Sequence, residues 1–218
     1  QDNNYKLARK DLLKKLDSDF LFFHPTRHDW VKGKGFADKD NDKFLNAFIN
    51  LRSKGFRVGL VACDWGNNVK QSKKILNRFE KHVHWLKPIG SYKFRSMCKT
   101  CDIVVDQFKL GSFGGIVFKS LACGSPVLTY LNKKEVKKQY KVIPPVINCK
   151  TQKEIEINIK KILLSPKQLK IKRLKSRRWV KKFHGKVETV NKQVDQFRLN
   201  SNEIIKLKKK IKLVRGNI

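Results

Sequence analysis

The chain has 218 residues, 40% of them hydrophobic and 32% charged, which is enough apolar material for a packed core and argues against disorder. Lys and Arg number 51 against 18 Asp and Glu, a formal charge of +33. That excess calls for an anionic partner without choosing between nucleic acid, acidic lipid and nucleotide phosphate. No apolar run approaches the ~18 residues of a membrane span, Gln1 to Lys10 are too polar for a signal peptide, and five irregularly spaced cysteines favour a reducing compartment over a disulfide framework.

Residues 1–17 read as an interdomain segment or helix, 18–200 as the main domain and 201–218 as a basic tail. The strand candidates are short, β-branched or aromatic, and bounded by turn residues: Phe20–His24, Arg57–Cys63, Val83–Leu86, Asp102–Phe108, Pro126–Leu131 and Pro145–Asn148. Between them lie helical patterns at Asp42–Lys54, Val69–Lys81, Ser91–Lys99 and Phe113–Cys123. Lys54-Gly55 and Cys123-Gly124 place glycine where a helix end wants a left-handed residue. From Thr151 the pattern is helical throughout: Thr151–Leu164 opened by a Thr151-x-x-Glu154 capping box, Pro166–Phe183 and Val187–Leu199, then an amphipathic tail over Ser201–Ile218. Alternating strands and helices predict an α/β domain, a Rossmann-like parallel sheet with helices on both faces and a helical C-terminus. Ligands of such sheets sit at the carboxyl ends of the strands.

Two segments just beyond strands carry the chemistry. After the first, His24-Pro25-Thr26-Arg27-His28-Asp29-Trp30 leads into a loop holding Lys32, Lys34 and Lys39. An Arg fork with Lys point charges suits a diphosphate; the competing reading is a solvated basic loop. After the fourth, Asp106-Gln107-Phe108-Lys109-Leu110-Gly111-Ser112-Phe113-Gly114-Gly115 runs into an apolar helix. Its glycines permit close backbone approach and a helix N-terminus offers amides to an anion, while Ser112 is a candidate N-cap. Cys98-x-x-Cys101, with His82 and His84 upstream, admits a metal pair but reads better as buried thiols. His24 and His28-Asp29 suggest an acid–base pair, but neighbouring residues of a strand point to opposite faces, so His28 reads as a positioning residue.

These segments resemble the C-terminal, nucleotide-sugar-binding half of GT-B glycosyltransferases of the large retaining family 4. Lys39-Asp40-Asn41-Asp42-Lys43-Phe44-Leu45-Asn46-Ala47-Phe48 is similar to the family's Lys-Gly-x-Asp-x-Leu-Leu-x-Ala-Phe helix start. Gly111-Ser112-Phe113-Gly114, then Lys119-Ser120-Leu121-Ala122-Cys123-Gly124-Ser125-Pro126-Val127, is similar to its Glu-Gly-Phe-Gly-x4-Glu-Ala-Leu-Ala-x-Gly-x-Pro-Val signature. The resemblance covers residues 18–200 and implies that Arg27 and Lys39 hold the donor diphosphate and stabilise the departing nucleotide. Lys32 and Lys34 stand as substitutes for Lys39. The backbone at Phe113, Gly114 and Gly115 would face sugar and diphosphate, Asp64-Trp65-Gly66 stands where the family has a Gly-x-Gly turn, and Trp85-Leu86 where the base is held. Two departures stand out: the first family Glu falls on Gly111 and the second on Lys119, whose ammonium cannot accept from ribose hydroxyls.

The resemblance implies a hexosyltransferase-like enzyme part that binds a nucleotide-diphosphate sugar, uses no metal or other cofactor, lacks its acceptor domain and serves cell-envelope glycans, lipids or proteins. A cytoplasmic location is expected with it. Lys172–Lys182, with Trp179 and Phe183, reads separately as a basic helix with an apolar face, either core packing of Trp179 with solvated lysines or peripheral docking on the acidic inner face of the membrane. A chain starting at Gln1 with one Met reads as a fragment. Two alternatives stay open: a pseudoenzyme with an impaired donor site, motivated by Lys119, and a basic nucleic-acid-binding module, motivated by the charge. Residues 150–218 hold 22 basic residues against 5 acidic, yet no nucleic-acid-binding signature is present and specific recognition is not expected. Lys outnumbers Arg 40 to 11, a skew that AT-rich codon usage also produces.

Overall fold

Side chains alternate between the two faces of a strand, and in the first strand they do so between two packed layers. The computed structural model describes residues 2–31, 38–197 and 202–206. Its strands are β1 (Phe20–His24), β2 (Val58–Cys63), β3 (Val83–Leu86), β4 (Ile103–Val105), β5 (Val127–Thr129) and β6 (Ile147–Asn148). All pair in parallel, in the order β3-β2-β1-β4-β5-β6. Strand order therefore reverses between β1 and β4, the place where a doubly wound sheet opens a crevice.

On one face Phe20 and Phe22 of β1 pack with Leu60, Ile103, Val105 and Leu128 of the neighbouring strands. That layer is closed by Phe44, Leu45, Phe48 and Leu51 of α2 (Asn41–Ser53) and by Ile155, Ile159 and Ile162 of α7 (Gln152–Leu164). On the other face Leu21 and Phe23 meet Val61, Cys63 and Val104. Leu12, Leu13 and Leu16 from α1 (Asp2–Lys15) and the turn after it cover them, with Phe94, Met97 and Cys98 of α4 (Ser91–Thr100). Phe22 and Phe44 meet edge to face at 5.3 Å, and truncating either to Ala would cost about 3–5 kcal/mol. The remaining elements of this unit are α3 (Val69–Leu76), a 3-10 segment (Asn77–His82), α5 (Gly115–Ala122) and α6 (Lys133–Tyr140). Residues 1–180 form this compact unit. Residues 181–218 form a second, containing the end of α8 (Lys167–His184), α9 (Lys186–Gln196) and the helical residues 202–206. Most of the Ser201–Ile218 tail, like Leu199, lies outside the described residues.

The expected strands at Phe20–His24 and Val83–Leu86 have the predicted bounds. The fourth is shorter than Asp102–Phe108, because beyond Val105 the backbone leaves the ladder: Phe108 N–H donates to Lys39 O at 2.9 Å. Helix α6 is an addition. It has only Val136 and Tyr140 on its buried side, too little periodicity to read, and Asn132 caps it by accepting from the backbone of Lys134 and Glu135. The Thr151–Glu154 capping box forms, and Gly55 (φ 83°) and Gly124 (φ 75°) follow the ends of α2 and α5. Ser112 does not cap α5. Gly114 occupies that position in extended conformation, and no side chain caps the helix.

Candidate functional site

Three loops meet at the carboxyl ends of β1, β2 and β4, and buried polar side chains fasten them together. The loop after β1 lies on the loop after β2: His28 N–H donates to Trp65 O at 2.9 Å, Asn68 N–H to His28 O at 2.8 Å, and Trp65 Nε1 to Pro25 O at 2.9 Å. Asp29 is the hub. Its Oδ1 accepts from Asn67 N–H at 2.8 Å, its own N–H donates to Asn41 Oδ1, and its O accepts from Lys39 N–H at 2.6 Å. Gly66 makes this contact feasible. Its φ is 109°, and a Cβ there would stand 2.5 Å from the backbone nitrogen of His28.

Beneath these loops His24 is fully buried and fully paired. Its Nδ1–H donates to Val105 O at 3.1 Å, which leaves Nε2 to accept from Asn41 Nδ2 at 3.1 Å. Burial depresses its pKa to about 4. The ring of His28 packs against that of His24 at 5.0 Å, and its pKa falls to about 2 through burial, then the charges of His24 and Lys73. Both imidazoles are neutral and enclosed, and His28 Nδ1 is paired with Ser72 Oγ at 3.0 Å.

Arg27 and Lys39 stand at this loop's surface. Arg27 Nε lies 3.5 Å from Asp29 Oδ2 with its side chain 44% exposed, which leaves the guanidinium able to take an anion. Lys39 is half-buried and donates from Nζ to Gln107 Oε1 at 2.9 Å, while Gln107 Nε2 donates to Ser112 O at 3.3 Å. One glutamine thus ties the cation of the first loop to the glycine turn of the second. In that turn Gly111 has φ 70° and its O accepts from Asn132 N–H at 2.7 Å. A Cβ at Gly111 would meet Tyr130 Cε1 at 2.8 Å, so the family's Glu has no room in this backbone. Ser112 is exposed. Phe113 turns its ring away from the crevice, onto Phe118 at 5.0 Å and Trp179 at 5.8 Å, and only its backbone can serve a ligand. Gly114 and Gly115 open α5, whose first amides have no intrahelical acceptors.

Under this turn lies Asp106. Its Oδ1 accepts from Thr26 Oγ1 at 2.7 Å, its Oδ2 has no hydrogen-bond donor, and a Cβ on Gly114 would stand 3.1 Å from Oδ2. Burial raises its pKa to about 6, opposed by the Thr26 hydrogen bond and the Lys39 charge. Asp106, Gln107, Asn41 and Asn68 escaped the sequence reading as site residues. The signal for the first two was present: polar residues that interrupt an apolar run at its carboxyl end.

A cavity of about 380 Å³ adjoins the turn, lined by Pro25, Cys63, Trp65, the Pro88–Ser91 segment, Phe94, Ile116 and Lys119. Trp65 and Lys119 therefore share one hollow. Asp64 points elsewhere, with its carboxylate taken by Lys73 Nζ at 2.8 Å and its N–H donating to Leu86 O. Trp85 belongs to the opposite face of the sheet, packed on His28 at 5.3 Å with Lys73 over its ring. It lines a separate, open groove of about 940 Å³ along α3 and the 3-10 segment, and Leu86 packs into the core around Phe23. The residues after β3, not Trp85 and Leu86, face the crevice. Lys32 and Lys34 lie outside the described residues.

Among the described residues no cluster of three or more His, Cys, Asp or Glu side chains could hold a metal ion. Cys98 and Cys101 are buried and held well above the ordinary thiol range, Cys98 by a hydrogen bond with Cys123 and Cys101 by burial. His82 donates to Leu16 O and accepts from Arg52. Among the described residues no helix is long and apolar enough to cross a membrane.

No protein-family model matches the sequence, and no curated protein does. Solved structures do. HepE (Alr3699) from Anabaena, in complex with UDP and glucose, superposes with a TM-score of 0.67 at 15% identity, over 90% of this chain and 52% of that one. The C-terminal domain of a glycosyl transferase group 1 family protein, LpcC from Francisella tularensis, gives 0.58 at 15% identity, over 81% of this chain and 92% of that one. The catalytic domain of cholesterol-α-glucosyltransferase from Helicobacter pylori gives 0.58 at 12% identity, over 76% and 99%. This chain thus spans about half the length of HepE, and 81% of it superposes on the single LpcC domain. At such identities the likeness concerns the fold.

Proposed function

We propose that this chain, which has the fold of the C-terminal half of GT-B group 1 glycosyltransferases, is the donor-binding part of a glycosyltransferase. The observation that carries the reading is the Lys39–Gln107–Ser112 chain at the β1/β4 switch point, which sets a cation against the glycine turn that opens α5. Arg27 and Lys39 meet the diphosphate from one side and the amides at Gly114 and Gly115 from the other. As the bond from sugar to phosphate breaks, negative charge grows on the departing nucleoside diphosphate, and these fixed cations and dipoles stabilise it. Such charge compensation needs no divalent ion, so donor binding should persist in chelator. Lys32 and Lys34 remain candidates to reinforce it.

The nucleoside end fits the 380 Å³ cavity, with Trp65 as an apolar wall and the Pro88–Ser91 segment facing the base. Lys119, in the position of a ribose-binding Glu, offers donors only. It would leave the ribose hydroxyls without an acceptor or turn to phosphate. HepE was captured with UDP and with UDP-glucose, which makes UDP-sugars the first donors to try. A retaining reaction, the hexose and a cell-envelope acceptor follow from the family resemblance and rest on it. The second half of the catalyst, supplying the acceptor, completes the cleft. Calorimetric titration with UDP- and GDP-sugars tests the reading: binding of at least one in the micromolar-to-millimolar range supports it, and none at millimolar concentration refutes it.

A second reading is an impaired relative, favoured by Lys119 and by the crowding at Gly111. Lys119→Glu separates the two. A gain in nucleotide affinity would mark a donor site that has decayed, whereas unchanged or weaker binding would mark one adapted to Lys.

A further inference from the structure

At the opposite end of the sheet, where the strands begin, the surface is cationic and apolar at once. Helix α8 carries nine Lys and Arg in eighteen residues and no acid. Lys167 and Lys170, like Lys172 and Lys175, are three residues apart on one face, so the helix bears uncompensated like-charge repulsion. Lys172 is half-buried with Lys175 beside it, and both burial and that neighbour oppose its charge. Four aliphatic side chains stand out of the same region: Leu164 (80% exposed) at the end of α7, Ile171 (52%) and Leu174 (54%) on α8, and Val142 (43%) in the turn after α6. Ile171 also borders a groove of about 370 Å³, lined further by Ile143, Pro145, Gln168, Lys172 and Lys175.

The topology separates this surface from the donor crevice. Pro145 lies two residues before β6, and Arg173 Nη2 donates to the carbonyls of Cys101 and Asp102 just before β4. In a parallel sheet those positions are at the end remote from the β1/β4 loops. The chemistry also selects a partner. Nucleic acid would be met by exposed aromatics for base stacking, whereas here the exposed apolar groups are aliphatic and Trp179 of α8 is buried against Tyr140. Lysines flanking aliphatic side chains on an amphipathic helix suit a bilayer surface: the alkyl stems and aliphatics enter the headgroup boundary while the ammonium groups meet anionic headgroups.

We propose that this end of the domain, built from α8 and the turn before β6, docks on an anionic lipid surface. The inference stands independently of the donor-site reading. Co-sedimentation of the full chain with phosphatidylcholine vesicles, plain or containing about a quarter phosphatidylglycerol, tests it at physiological salt. Binding to the anionic vesicles alone is expected, falling about tenfold in Ile171→Gln/Leu174→Gln although no charge changes. Circular dichroism and the melting temperature establish that the variant is folded, and Leu164→Gln provides a second, more exposed position where the same direction of effect is expected. Equal binding to neutral vesicles, or undiminished binding by the folded variants, would overturn the proposal. So would displacement from the vesicles by a short RNA that binds the chain more tightly at the same salt.

Discussion

Lys39 Nζ and Gln107 Oε1 are joined across 2.9 Å by residues 68 positions apart in the sequence. The bond links the loop after β1 to the glycine turn after β4. In the proposed donor site the two would cooperate only with the ammonium held near the α5 amides, and Gln107, which also donates to Ser112 O, ties them together.

Lys39→Ala should therefore weaken nucleotide-sugar binding by about 10–100-fold, the worth of one charge-assisted hydrogen bond. Gln107→Ala should weaken it by less, about 3–10-fold, since the charge survives and only its placement is lost. Calorimetric dissociation constants for the two variants check the order. Equal losses would mean that Gln107 contacts the ligand itself.

Asp106 places a buried carboxyl under the same turn, with its pKa raised from 3.8 to about 6. A raised acid is penalised when ionised. Between pH 4 and 6 the folded state holds a proton that the unfolded state has lost, so this group's contribution to stability falls as pH rises. At pH 7.5 the penalty is on the order of 3 kcal/mol. Asp106→Asn keeps an acceptor for Thr26 and should raise the melting temperature at pH 7.5 while leaving it nearly unchanged at pH 4. An arriving diphosphate should raise the Asp106 pKa further, so donor binding near pH 6.5 should take up protons. Calorimetry in two buffers of different ionisation enthalpy detects that uptake, and Asp106→Asn should abolish it.

The histidines act with the opposite sign. His24 and His28 are held at about 4 and about 2, against 6.5 in the unfolded chain, chiefly by burial. From pH 6.5 downward the unfolded state gains protons that the folded state refuses, so stability falls with pH. For His24 the loss is on the order of 3 kcal/mol by pH 4. Chemical denaturation at pH 7 and pH 5 should show a clear loss in the parent chain. It should be much smaller in His24→Asn/His28→Gln, although that variant is less stable at pH 7.

Gly66→Ala should disable the site from a distance. The new Cβ would collide with the His28 backbone at 2.5 Å, in a conformation that alanine rarely adopts. The cost is about 2–4 kcal/mol, taken partly as displacement of the loop carrying Arg27. A lower melting temperature together with weaker donor binding is expected. Loss of stability with unaltered binding would show that Arg27 and the β2 loop are uncoupled.

The sheet was legible because its signals are local. β1 opens on the apolar run Phe20–Phe23 and is closed by His24-Pro25, and α2 begins and ends on polar and glycine punctuation. The positions of Arg27, Lys39 and the Gly111–Gly115 turn followed from the strand ends. What stayed hidden depends on long-range contact. Nothing near Asp29 in sequence announces that its carboxylate will receive Asn67, and nothing near Trp85 says that its ring faces His28 rather than the crevice. Ser112 looked like a cap because Ser caps helices, but α5 starts three residues later at Gly115, after the extended Gly114. Helix α6, with two apolar anchors, held too short a pattern to read.

In the proposed site Lys39 recognises the diphosphate itself, so ligands with and without that group should respond differently to its loss. UDP and uridine should be titrated calorimetrically into the parent chain and into Lys39→Ala. The substitution should cost UDP at least about tenfold in affinity and leave uridine unaffected. Equal losses for the two ligands, or no loss for UDP, would contradict it.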